Sequence, residues 1–177
     1  MGERVARYLP LASVIIPLIC ILVSVAYSPW FNIFDNALSD LGHAVKSSVA
    51  PLFNIGLVLG GLSAYTTAIV SRHIDKHYNI VLMYTGVSLI LVGVFDEVYR
   101  LLHFMVSVLF FIGIALFLLL VALKEEMKIV KLYSATALVV IIVVWIIYFT
   151  YRVPRGAAIP EITSVALFAP AYLHVYY

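Results

Sequence analysis

Residues 8–34 of this chain contain no Asp, Glu, Lys or Arg, and neither do residues 47–71. Uncharged stretches of that length leave few folds open. A helix needs about 20 apolar residues to cross a bilayer, because its backbone must satisfy its own hydrogen bonds in hydrocarbon. Read on that criterion, the chain holds six spans: 8–27, 49–70, 79–95, 101–123, 132–151 and 162–177. The last is the weakest. It is short, Pro170 interrupts it, and its Tyr172, Tyr176 and Tyr177 fit an aromatic belt, so an interfacial helix is the alternative. Composition agrees. Of 177 residues, 64% are hydrophobic and 11% charged, against about a quarter charged in soluble domains. A water-soluble domain of this size cannot hide that much apolar surface. The expected fold is all-α: a polytopic transmembrane bundle of six spans, with residues 1–177 as a single transmembrane domain.

Arg4 and Arg7 precede the first span, and Ser24-Val25-Ala26 resembles a cleavage triplet. The run is longer than the core of a usual signal peptide, so the span is read as retained. Orientation follows from the basic residues near the span ends. With the N-terminus inside, one side holds Arg4, Arg7, Arg72, Lys76, Lys124, Lys128 and Lys131, and the other holds Lys46, Arg100, Arg152 and Arg155. Seven against four places both termini in the cytoplasm and the protein in the cell membrane. Net charge is +2 and the basic residues are scattered, which argues against nucleic acid as a partner. The lone Cys20 lies in an apolar run and can form no intrachain disulfide.

Three polar segments then fall on the outer side. The first, FDNALSDLGHAVKS (34–47), is flanked by spans on both sides. Asn36, Ser39, Asp40 and His43 are spaced to share one helix face, while Trp30, Phe34, Leu38 and Leu41 share another. The pattern predicts a short amphipathic helix over 34–42 on the outer surface. Asp40 is expected to turn toward the end of span four and away from bulk water, with Arg100 and His103 as donors and Arg152 and Arg155 as reserves, and Asp35 to be a solvated cap. The second segment, FDEVYRLLH, places His103 about one turn inside span four, where an ionisable group usually faces the bundle. The third brings Glu161 to the start of span six, just after Pro160. Each has a plainer reading: a lid with solvated acids, a packed histidine, and a carboxylate at a helix N-terminus. The candidate site residues are Asp40, His43, His103 and Glu161. Two acids and two histidines can bind zinc or activate water, but no metal-ligand spacing is present, so the metal and any cofactor stay open. In span two, Gly56, Gly60, Gly61 and Ala64 predict a close-packing seam, with Gly86 and Gly93 as the facing groove. Asn54, near the outer end of that span, needs a hydrogen-bond partner, and Ser107 or a span-one carbonyl is a candidate.

The pieces NALSDLGH (36–43), PLFNIGLVLGG (51–61) and VGVFDEVYRLLH (92–103) resemble a group of prokaryotic, especially archaeal, membrane proteins known only as a domain of unknown function. That group is sometimes compared with the eukaryotic Frag, DRAM and Sfk six-span proteins. The resemblance covers residues 10–123 well. It implies a six-span fold, directs attention to Asn36, Ser39, Asp40, Gly42, Phe53, Asn54, Gly93, Phe95 and His103, and brings no activity. Asp96 stands where the pattern often has proline. The expected function is that of a multi-pass membrane protein binding a membrane lipid or a partner through its outer polar cap. The alternative is a membrane-embedded hydrolase acting on a lipid headgroup. Whether it is an enzyme, and whether it forms a homo-oligomer, the sequence leaves open.

Overall fold

The computed structural model describes residues 7–177. Arg4, counted in the charge bias above, lies outside the described residues. Six helices are long and apolar enough to cross a membrane. They are α1 (Leu9–Ala26), α2 (Ala50–Val70), α3 (Lys76–Val94), α4 (Leu101–Lys124), α5 (Lys128–Tyr151) and α6 (Ala158–Tyr176). No strand occurs among the described residues. The chain is a multi-pass transmembrane helical bundle. The weakest expected span is a full helix of 19 residues, and Pro170 sits inside it without ending it. Pro51 lies in the first turn of α2, where its missing N–H costs nothing.

Each helix packs on its neighbour in the chain, and α6 returns to touch α1 and α4. The larger core gathers around Phe117, fully buried between Tyr78, Phe168 and Tyr172. Large apolar side chains such as Leu18, Leu22 and Ile146 are exposed on the outside. In water such a surface would aggregate; in lipid it is the expected face.

The glycines explain the close approach of the first three helices. A Cβ on Gly60 would lie 2.5 Å from Cγ of Pro17, and one on Gly61 would lie 2.6 Å from the Gly86 carbonyl. So the seam has two sides: Gly56 and Gly60 face α1, and Gly61 faces Gly86 of α3. Between α1 and α6 the tie is polar. The Ser13 hydroxyl donates to the Pro10 carbonyl (2.7 Å), which leaves Tyr172 to donate to Ser13 Oγ (2.9 Å).

The connections separate into two ends. At one, Asp75 takes a salt bridge from Lys124 (2.5 Å), His174 faces Glu125 (3.3 Å), and Tyr177 donates to the Arg7 carbonyl (2.8 Å). Here the Lys124 hydrogen bond, with help from the His77 backbone and side chain, holds the Asp75 carboxyl well below the usual range. The Met127 backbone N–H does the same, more weakly, for Glu125. At the other end, the α1–α2, α3–α4 and α5–α6 connections interlock. This is the cap end.

Candidate functional site

The polar segment after α1 folds differently from the helix expected over 34–42. It forms a five-residue 3-10 turn, Leu38–Gly42. The reason is competition for backbone groups. Asn32 Oδ1 accepts from Phe34 N (2.9 Å), and Asn36 Oδ1 accepts from Asn32 N (2.9 Å). The Phe34 and Asn36 carbonyls are taken from outside, by Gly156 N (2.9 Å) and Ala158 N (3.0 Å). No run of free carbonyls remains to start an α-helix before residue 38. The expected apolar face also divides. Leu41 is 0% exposed and Leu38 is buried with it against Phe53 and Val106, whereas Trp30 (47%) and Phe34 (60%) stay outside.

Asp40 is turned inward, but its donors are not Arg100 and His103. Asp40 Oδ2 accepts from Ala37 N (2.9 Å) and from Asn36 Nδ2 (3.0 Å), so it closes its own turn. A carboxylate three residues into a turn reaches its capping N–H before it can reach another helix. His43 is equally local: its Nδ1 accepts from Val45 N (3.3 Å). The Asn54 side chain finds neither Ser107 nor an α1 carbonyl. It donates to the Gly42 carbonyl (2.9 Å) and fastens the turn to α2.

The other two candidates meet. Glu161, in the first turn of α6, accepts from Leu38 N at 2.6 Å. The next residue, Ser39, donates its hydroxyl to Glu97 Oε1 at 2.6 Å. Adjacent residues of one turn thus hold two carboxylates, from the α3–α4 connection and from α6, side by side. Asp96 takes no part in this: it caps the turn Glu97–Tyr99 by accepting from Val98 N (2.8 Å). His103, 5% exposed, has Nδ1 2.6 Å from the Phe95 carbonyl. A carbonyl only accepts, so Nδ1 carries the proton. Nε2 then faces Ser107 Oγ (3.3 Å) and Glu97 Oε1 (3.4 Å).

These groups line a cleft of about 520 Å³ at the cap end, between α4, α5 and the start of α6. Glu97, Glu161, His103, Ser39 and Ser107 form its polar part. Phe104, Phe111, Trp145 and Phe149 form an apolar wall. Arg100 and Arg152 line it as well, and both are exposed. They are the two non-glycine residues with positive φ among the described residues, at 43° and 54°. Neither has a carboxylate within 4.0 Å among the described residues. Arg152 stands over the Tyr148 ring, 5.7 Å from its centroid.

The structure therefore brings His103 and Glu161 to one cleft and leaves Asp40 and His43 in the turn beside it. Among the described residues, no group of three or more His, Cys, Asp or Glu side chains is placed to hold a metal ion. Sequence reasoning missed Glu97 and Arg100 as site residues, although both stand in the polar segment FDEVYRLLH. Which of Asp96 and Glu97 reaches the cleft is decided by the Asp96 cap: Asp96 is buried but spent on Val98 N, which leaves Glu97 for the cleft.

The motif residues bond to one another. Asn36 bonds Asp40, Asn54 bonds the Gly42 carbonyl, and His103 bonds the Phe95 carbonyl. A Cβ on Gly93 would lie 2.8 Å from the Asn54 carbonyl. The three sequence pieces thus meet around the cap. No curated protein and no solved structure matches the chain. Residues 11–174 match the family described as "Protein of unknown function (DUF998)", which carries the likeness past α4 through α5 and nearly to the end of α6, and the chain belongs to that family.

Proposed function

We propose that the cleft receives a membrane lipid, its headgroup phosphate on Arg100 and Arg152 and its chains along the Phe104–Trp145–Phe149 wall. The observation that carries this is the pair of arginines. A positive φ on a non-glycine residue costs about 1–3 kcal/mol, and here two such residues are arginines on one cleft without carboxylate partners among the described residues. Arg100 precedes α4 and Arg152 follows α5, so both guanidinium groups stand at helix ends, the level of the headgroups. An arginine fork matches phosphate oxygens, and the apolar wall below matches acyl chains.

The cap end faces outward in this reading, and the seven-to-four basic bias supports that orientation in the cell membrane. Single cysteines at positions 36 and 155 should label from outside, and cysteines at 74 and 127 should not. Binding is tested by native mass spectrometry of the full chain with dioleoylphosphatidylglycerol. Arg100→Gln with Arg152→Gln should weaken binding roughly tenfold or more, since each charge-assisted contact contributes about 1.5–3 kcal/mol. Equal binding by wild type and the double variant would refute the site.

The fixed tautomer of His103 favours one second reading, hydrolysis of the bound lipid. With Nδ1–H held by Phe95, Nε2 is a base that can take a proton from water attacking an ester carbonyl and return it to the leaving alcohol. Turnover of the lipid by wild type, lost in His103→Asn with binding intact, would support it. Absence of turnover in wild type would dismiss it.

A further inference from the structure

The cleft holds more than a phosphate requires. Two carboxylates line it together with the two arginines, and they are only half used. Glu161 accepts through Oε2 from Leu38 N, and Glu97 accepts through Oε1 from Ser39. The second oxygen of each has no hydrogen-bond donor among the described residues, neither is a fully buried atom, and both residues line the cleft. Exposure separates the two signs. Arg100 and Arg152 are exposed, while Glu97 and Glu161 are half-buried, with Glu97 3.4 Å from Nε2 of the buried His103. A ligand that satisfies all four groups carries an anion for the exposed arginines and a cation for the half-buried carboxylates. It must also carry N–H donors, because the free carboxylate oxygens are acceptors with nothing to accept.

We infer that the cleft selects lipids whose headgroup carries a primary ammonium beside its phosphate, of the phosphoethanolamine type. This rests on the lipid reading above and names the headgroup.

The main competitor is a quaternary ammonium held in an aromatic box. The aromatic wall does not offer one. Trp145 stacks on Phe149 at 5.4 Å and meets Phe111 at 4.9 Å, and the Tyr148 ring already carries the Arg152 guanidinium. The rings are partnered with each other, and the vacant positions in the cleft are hydrogen-bond acceptors. An ammonium with three N–H groups fills them; a trimethylammonium has no N–H to give.

Native mass spectrometry of the full chain in detergent reads this directly, with dioleoyl lipids bearing ethanolamine, N-methylethanolamine, N,N-dimethylethanolamine and choline headgroups. Affinity should fall stepwise as N–H groups are replaced, by roughly tenfold or more from the first to the last. This series needs no variant. Glu97→Gln with Glu161→Gln keeps a carbonyl oxygen for Leu38 N and Ser39 but removes both charges. It should collapse the ethanolamine preference to about threefold or less while phosphatidylglycerol binding holds or rises. A flat methylation series would overturn the inference. If phosphatidylglycerol then still binds and still depends on Arg100 and Arg152, the lipid reading survives; if no lipid depends on those arginines, both fall. Free O-phosphoethanolamine should compete poorly, because it makes no use of the apolar wall. Competition as strong as the lipid's would overturn the assignment to a lipid.

Discussion

Gly156 is where one methyl group should do the most damage. It lies in the α5–α6 connection, and a Cβ there would fall on the backbone N, C and O atoms of Asn36. Its φ is not positive, so alanine adopts its backbone conformation without strain. By that measure alone, Gly156→Ala should stabilise by about 0.4–1 kcal/mol through the unfolded chain. Contact reverses the sign. The obstacle is backbone and cannot rotate away, so the connection must back off from the cap. That loosens Gly156 N to Phe34 O (2.9 Å) and Ala158 N to Asn36 O (3.0 Å). Each bond contributes about 1 kcal/mol net, and forced repacking adds about 1–3 kcal/mol. Less the entropic gain, the net loss is about 2–4 kcal/mol. Unfolding in detergent micelles titrated with sodium dodecyl sulfate, followed by far-ultraviolet circular dichroism, measures it. The preference for the ethanolamine headgroup should fall too, because Leu38 and Ser39 would no longer hold Glu161 and Glu97 in place. A loss below about 0.5 kcal/mol, or a gain, would mean that the cap does not lean on this connection in the way described.

Gly60→Leu should destabilise the bundle by more than about 2 kcal/mol, because Pro17 occupies the space. Leu59→Ala, at a lipid-facing position 44% exposed, should cost far less, and thermal unfolding in detergent compares the two. Asp40→Asn should cost about 1 kcal/mol, because an amide oxygen still accepts from Ala37 N but without the charge, whereas Asp35→Asn loses only an exposed contact to Arg155 at 3.8 Å and should be near neutral. The same unfolding titration separates them. The Asp75 carboxyl is depressed by Lys124, so its salt bridge is complete above the ordinary value near 3.8 and is lost only as pH falls through the lower folded value. Lys124→Ala should bring the titration of Asp75, read by carboxyl 13C chemical shift, back toward 3.8.

Run length alone determines the first five spans, because hydrocarbon admits only self-satisfied backbones and each of those uncharged runs is about one bilayer long; the sixth, short and interrupted by Pro170, is shown as a full helix only by the tertiary structure. The small residues of α2 and α3 announce close packing for the same reason: in lipid, contact area replaces the hydrophobic effect. His103 is legible in the sequence as a bundle-facing group because an ionisable side chain inside a span is costly unless it is sheltered. What the sequence does not decide is who bonds with whom at the cap. Periodicity places Asp40 on a polar face, and Glu97 stands in a polar segment, but their partners depend on carbonyls and N–H groups brought together by connections far apart in the chain. Asn36 and Phe34 look like helix starters until Gly156 and Ala158 take their carbonyls. Asp40 looks like half of an ion pair until Ala37 N proves nearer. The cleft, with its paired arginines and half-used carboxylates, exists only where three connections distant in sequence converge, and short-range patterns carry no record of that convergence.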